Sequence, residues 1–224
     1  DCKVFVGSRN ETEEFNDQCK GAKFIKTDIK NIDEIKNLID VASKETGNID
    51  ILINNAGISI WKRLENIDED FFHNTIDTNL KGTLFCCKFV INFMKKRGVI
   101  INIASLAGKR GSKNNSVYVA SKFGVVGITQ ALAKELGEKS IRVNSICPVY
   151  IDTPTLLSNL SGDHPEVGNQ NPSEFLNQWG KANAALKRLP TGEECADTCL
   201  YLASDSSSAI TGQNINIDCG VLPQ

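Results

Sequence analysis

The sequence predicts an α/β fold, a doubly wound parallel sheet in a single domain. Three observations carry this. Short apolar runs alternate with segments of helical spacing along the whole chain, the pattern of a parallel sheet covered by helices on both faces. The runs at 49–53 (IDILI) and 99–103 (VIINI) are nearly continuous in apolar residues, as strands buried on both faces are. Polar residues or glycines follow the runs: Arg9, Asp28, Asn55 with Gly57, Ser105 and Pro148. In a parallel sheet such strand ends share one edge, and ligands bind there.

In chain order, residues 3–7 read as a strand closed by Ser8-Arg9-Asn10, and 11–18 as a short helix. Residues 22–27 (AKFIKT) form a second strand ended by Asp28. Asn31 is a helix cap with acids in the first turn behind it. Ile32, Ile35, Leu38, Ile39 and Ala42 make the apolar stripe of that helix, and Gly47 stops it. The buried strand 49–53 leads into Asn54-Asn55-Ala56-Gly57. Two helices are expected, at about 67–77 and 80–96, and then a strand from Gly98 to Ser105. A helix from Tyr118 to about Gly137 follows, with Val125, Val126, Ile128, Leu132 and Leu136 on its apolar positions. Residues 141–146 are another strand, ended by Cys147-Pro148. The stretch 152–190 is rich in Asn, Ser, Gly and Pro, carries Trp179, and is expected to be a functional loop or lid. Thr191-Gly192-Glu193-Glu194 is a capping box opening a helix to about Ala203, and 214–217 is the last strand.

The chemistry concentrates between Asn102 and Lys122. Tyr118 and Lys122 are four apart on a helix and so share a face. A strand that delivers Ser105 beside that face brings a hydroxyl, a phenol and an ammonium together. A phenol titrates near ~10. A neighbouring cation lowers that value, which prepares Tyr118 to exchange protons near neutrality. Ser105 would hold a substrate oxygen against it.

Composition narrows the function classes. Net charge is −2 over 224 residues, which gives no bulk attraction to nucleic acid or an anionic membrane. No apolar run approaches a membrane span, and no signal peptide is expected. Eight cysteines lack framework spacing: Cys86 and Cys87 are adjacent, and Cys195 and Cys199 lie four apart. They read as buried thiols in a reducing, cytoplasmic setting. Neither His73 nor His164 has a metal-site pattern around it, so no metal is expected and a His-based triad is disfavoured.

These residues resemble the short-chain dehydrogenase/reductase family over nearly the whole chain, about 3–220. The matching motifs are Asn54-Asn55-Ala56-Gly57, Thr78-Asn79-Leu80, Ile103-Ala104-Ser105, Tyr118 with Lys122, Arg142-Val143-Asn144, Leu202-Ala203-Ser204-Asp205 and Ile210-Thr211-Gly212. Several motifs in one order are far more specific than any alone. The resemblance implies a Rossmann-like sheet with a substrate lid, 152–190, inserted after the strand ending at Pro148, the sixth in the family's count. It implies an NADP-dependent oxidoreductase interconverting a secondary alcohol and a ketone. Tyr118 is then general acid or base. Lys122 tunes it and holds the nicotinamide ribose, Ser105 orients the carbonyl, and Asn79 fixes a water that relays protons.

Ser8, Arg9, Asp28, Ile29, Asn55, Ala56, Gly57, Pro148, Ile151 and Thr153 would line the cofactor along with Tyr118 and Lys122. Arg9, with no acid before Glu11, favours the 2′-phosphate of NADP over NAD. Asn54 and Asn144 are expected instead to close strand ends by hydrogen bonds. The resemblance also implies a homotetramer or homodimer built on the helices after Asn79 and Tyr118. Cys86, Cys87, Phe89 and Val90 would be partly interfacial or would face the sheet.

Among family members the chain looks most like the 3-oxoacyl-carrier-protein reductases. Lys95, Lys96, Arg97, Lys109 and Arg110 would then meet an acidic carrier protein or simply be a solvated face, and the polar lid would also suit a polyol. Val149 and Cys219 stand where the family favours Gly. The family's first strand and its T-G-x-x-x-G-x-G turn have no counterpart, so the chain is expected to be a fragment of a longer protein. The competing expectation is a non-catalytic nucleotide-binding or scaffold protein of the same fold.

Overall fold

In the computed structural model, residues 2–161, 164 and 166–223 are described, except for the side chains at 13, 14 and 18. Gly162, Asp163 and Pro165 of the expected lid lie outside the described residues.

Six strands run in chain order: β1 (Phe5–Ser8), β2 (Lys23–Lys26), β3 (Ile51–Asn54), β4 (Val99–Ile103), β5 (Arg142–Pro148) and β6 (Asn214–Ile217). Every pairing is parallel. They form a four-stranded sheet, β3-β4-β5-β6, and a separate two-stranded sheet, β1-β2. Register brings Asn54 beside Asn102, Ile103 beside Ile146 and Pro148 beside Ile217, so the strand ends line up along one edge.

Helices cover both faces. α1 (Glu13–Gln18) is short, and α2 (Ile32–Thr46) begins on the Asn31 cap and ends at Gly47, whose φ of 74° is the left-handed stop. α3 (Glu69–Ile76), a π-helical turn (Asp77–Lys81) and α4 (Gly82–Val90) make one continuous helical run. This corrects the two separate helices expected, and the run stops at Val90 instead of Lys96. The π turn is fixed by side-chain hydroxyls. Thr78 Oγ1 donates to Asn74 O (2.7 Å), and Thr83 Oγ1 donates to Asn79 O (2.9 Å). α5 (Ser116–Leu136) is the longest helix.

Ile39, Cys87, Val90, Ile100, Ala133, Leu136, Ile141 and Val143 form the core on one face of the sheet. Val99, Ile101, Ile146, Cys199 and Leu202 form it on the other, under α8 (Gly192–Ala203). Alternate residues of β4 go to opposite faces, which is why its sequence is apolar without interruption. Each fully buried Ile or Leu there contributes about 1.5–3 kcal/mol of transfer free energy.

β3 departs from expectation. Ile51 and Ile53 are 38% and 47% exposed, because β3 pairs only with β4 among the described residues and that face lacks a covering helix. The expected lid contains two helices, α6 (Pro154–Leu160) and α7 (Pro172–Asn183). Leu160, Val167 and Leu176 give it a small core of its own. Cys219 adopts φ 52°, the left-handed conformation that explains a preference for Gly at that position.

Candidate active site

Three elements converge at the carboxyl edge of β4 and β5. Ser105 follows β4 and caps a short 3₁₀ turn, Leu106–Gly108. Its Oγ accepts from Ala107 N (3.1 Å) and lies 3.5 Å from Pro148 O at the end of β5. Tyr118 sits in the first turn of α5, and Lys122 lies one turn on, in the same cleft. The Lys122 ammonium is over the Tyr118 ring, 5.7 Å from its centroid, and donates to Ile103 O (2.8 Å). A Cβ on Gly57 would stand 3.6 Å from Lys122 Nζ and 3.3 Å from Asn79 Oδ1, so glycine keeps that approach open.

Electrostatics correct one expectation. Burial pushes the Tyr118 phenol above its ordinary value, while the hydroxyls of Ser105 and Ser59 pull it back. The expected lowering by Lys122 is not seen. Its ammonium bonds a carbonyl and lies over the ring, and withdrawal of the phenol from water outweighs it. Lys122 is itself buried, and desolvation brings it down to about 8.

The cleft unites Ser105, Tyr118 and Lys122 with Asn55, Gly57, Pro148, Ile151 and Thr153. Thr153 Oγ1 also caps α6, accepting from Leu156 N (3.2 Å). Asn79 stands behind this lining. Its amide donates to Ile58 O (2.9 Å) and Ser121 Oγ (3.0 Å), and its Oδ1 accepts from Ile58 N (2.8 Å). The side chain therefore braces the loop after β3 against α5. Ser8 and Arg9 end β1 on the two-stranded sheet, away from the cleft lining, with Arg9 exposed. Asp28 and Ile29 follow β2; Asp28 Oδ1 accepts from Lys30 N (2.9 Å). Ala56 is exposed beside Gly57.

Asn54 and Asn144 are bound into the scaffold. Asn54 donates to Asn102 Oδ1 (2.9 Å), and Asn144 bridges Ile210 O (2.9 Å) and Gln213 N (3.0 Å). Sequence reasoning missed part of the cleft wall, Ser59, Trp61, Tyr150 and Asn159, and Arg110, expected on a carrier-protein or solvated face, lines the cleft with them. Tyr150 packs edge-on against Trp179, with centroids 5.0 Å apart, and burial pushes its phenol up to about 12. A hydroxyl two residues past Gly57 was the signal for Ser59, but the cleft it lines is assembled from residues far away in sequence.

These residues can hold a carbonyl oxygen by hydroxyls and pass it a proton from a phenol. They also fit a dinucleotide. Gly57 leaves room beside the Lys122 ammonium, which has a single carbonyl partner among the described residues, and a strand-end edge lies open to an extended ligand.

Comparison with known proteins supplies the last finding. A family model described as enoyl-(acyl carrier protein) reductase matches residues 3–222. A 3-oxoacyl-[acyl-carrier-protein] reductase from Chlamydia muridarum is 38% identical over 200 residues, covering 88% of this chain and 75% of that protein. A 3beta-hydroxysteroid dehydrogenase from Mediterraneibacter gnavus is 37% identical over 209 residues, with coverage of 88% and 75%. Among solved structures, an actinorhodin polyketide ketoreductase variant with NADPH superposes with a TM-score of 0.87 at 30% identity, over 98% of this chain and 87% of that one.

Proposed function

The chain belongs to the short-chain dehydrogenase/reductase family, and from that premise we propose that Tyr118, Lys122, Ser105 and Asn79 carry out its reaction. The protein is an NAD(P)-dependent oxidoreductase that interconverts an alcohol and a ketone. The observation that carries the residue assignment is the phenol of Tyr118 in one cleft with the Ser105 hydroxyl and a buried Lys122 ammonium.

When bound, the nicotinamide cofactor supplies or accepts the hydride. Ser105 donates a hydrogen bond to the substrate oxygen and holds it at the phenol. Tyr118 gives that oxygen a proton in reduction and removes one in oxidation. Lys122, poised near neutrality, stabilises the phenolate left behind and would hold the nicotinamide ribose. Asn79 acts by fixing the loop from Asn55 to Ile58 that passes beneath Lys122; the water relay assigned to it by resemblance is part of this same reading.

Asn55, Ala56, Gly57, Asp28 and Ile29 would border the adenosine half, and Pro148, Ile151 and Thr153 the nicotinamide half and phosphates. NADP is the preferred cofactor in this reading, with NAD second. The support is the exposed Arg9 at the end of β1, together with a solved relative whose title names NADPH. The domain is single, with 152–190 as the substrate lid. The substrate is a small-molecule ketone or alcohol rather than nucleic acid.

Self-association as a homodimer or homotetramer is supported by exposed apolar side chains on the expected helices, Leu84 (40%) and Phe123 (46%), and by Phe72 (44%) on α3 ahead of them. Cys86, Cys87 and Val90 are not part of that surface, since they are buried in the core. Sedimentation of the protein as a monomer would remove the assignment. A reducing, cytoplasmic location is supported by eight unpaired thiols. No helix among the described residues is long and apolar enough to cross a membrane.

The test is NADPH oxidation followed by absorbance against a panel of ketones, with NADH in parallel to read cofactor choice. Tyr118→Phe is expected to lose at least about 10²-fold in kcat, the scale of general acid catalysis, while still binding NADPH. Undiminished turnover in that variant would overturn the assignment, whereas NADPH binding without turnover in the native chain would favour the non-catalytic scaffold.

A further inference from the structure

The cleft over Ser105 and Tyr118 has a volume of about 650 Å³, within the range of pockets that enclose small-molecule ligands. The chain has two tryptophans, and both line it. Trp61, on the loop after β3, packs against His164 with ring centroids 5.0 Å apart. Trp179 of α7 meets Tyr150 edge-on, also with centroids 5.0 Å apart. Phe175 lies one turn before Trp179 on the same face of α7 and lines the cleft with it. Trp61, Tyr150, Phe175 and Trp179 are only half-buried, so aromatic surface is left for a ligand to cover.

The polar side chains among these rings are engaged within the chain. Asn159 Nδ2 donates to Ser59 O (3.2 Å), Asn183 Nδ2 donates to Trp179 O (2.9 Å), and Glu166 Oε1 accepts from Asn114 Nδ2 (3.0 Å). Asn115 differs. It is 4% exposed, it lines the cleft, and its Oδ1 has no hydrogen-bond partner among the described residues. It stands at the N-cap of α5, where Asn is a preferred residue, yet its side chain makes no capping bond. It precedes Tyr118 by one helical turn, a separation of about 5–6 Å between Cβ atoms. A buried acceptor without a donor is costly to the fold, and the cleft is where a donor can enter.

We propose that the ketone taken by this cleft is built on an apolar ring system that packs on the aromatic side chains, and that it carries one hydroxyl, which donates to Asn115 Oδ1. The inference rests on the reading of Ser105 and Tyr118 as the ketone site. A rigid ring body buries apolar area against Trp61, Tyr150, Phe175 and Trp179 without the loss of freedom that a flexible chain suffers on ordering. A polyol carries several hydroxyls, each of which needs a partner once water is excluded. The polar lid composition that suits a polyol in the sequence is largely engaged inside the chain. Asn115 is placed to take a single hydroxyl within one ring's width of the carbonyl held at Tyr118.

Binding can be read in the presence of oxidised NADP, which has no hydride to give, so no ketone is turned over. With both tryptophans on the cleft, intrinsic fluorescence reports its occupancy directly. In the native chain trans-2-decalone should change that fluorescence with a Kd at least about tenfold below that of fructose, a polyol ketone of similar size. The 6-hydroxy derivative of the decalone should bind about fivefold tighter than the parent, the worth of one net hydrogen bond. Asn115→Ala should abolish that preference. Fructose binding as tightly as the decalone overturns the inference, and so does a hydroxyl preference that is missing in the native chain or survives in Asn115→Ala. The fructose comparison needs no variant and stands whether or not Asn115→Ala folds. Since no turnover is measured, these failures are distinct from activity surviving in Tyr118→Phe, which would remove the catalytic reading instead.

Discussion

Lys122 shows what the site costs the fold. It is 5% exposed, and desolvation brings its ammonium from 10.5 down to about 8. A base whose folded value lies below its unfolded one binds fewer protons in the native state, so stability rises with pH between about 8 and 10.5 and the penalty is fully present below 8. Lys122→Met should therefore raise stability by about 1–3 kcal/mol at neutral pH while abolishing turnover. The gain should shrink as pH climbs past 8 in parallel melting curves; a constant gain would mean that the charge is not the cause. The pairing of Tyr118 with Lys122 is legible in sequence, because the helical period alone puts them on one face. The raised phenol is not, since desolvation depends on what packs around it, and Ser59 is hidden because the rest of the cleft it lines is far away in sequence.

At the scale of elements, close approach governs. A Cβ at Gly82 would lie 2.6 Å from Ile29 Cγ1 and 2.8 Å from Ile29 O. The start of α4 is therefore pressed directly onto the loop after β2, where the adenine is expected. Gly82→Ala should cost about 2 kcal/mol, the scale of overpacking a tight contact, and weaken NADPH binding as Ile29 is displaced. Denaturant midpoint and Kd read the two effects; an unaltered midpoint would refute the contact. The helix starts were readable from their caps, as at Asn31 and at Thr191, where the capping box forms as expected. The two lid helices carried the same signal, Thr153-Pro154 and Asn171-Pro172, with a cap followed by proline at the first turn. The polar composition of that stretch obscured it. The π turn was not read from the sequence, since a Thr hydroxyl bonded to the carbonyl four residues back, as at Thr78 and Thr83, also occurs in ordinary α-helix.

The whole molecule joins a four-stranded sheet to a two-stranded one. Alternation of strand and helix made the parallel order legible. The division of the sheet was not, since a buried strand and one with an open face can share an apolar run such as that of β3. What holds the smaller sheet is α2: Ile35 and Ile39 are buried, and Ile39 joins the core with Cys87 and Val90. The ladder of β1 and β2 has one neighbour on each strand, so its amides should exchange with deuterium well before those of β4, which is paired on both sides. Equal protection in the two regions would show that they open together. The same seam has a mechanical corollary. Under traction applied near residue 3, β1 and β2 would peel away from α2 as one low-force event, and the remainder, with α2 anchored in the core, would resist until a second, steeper rupture.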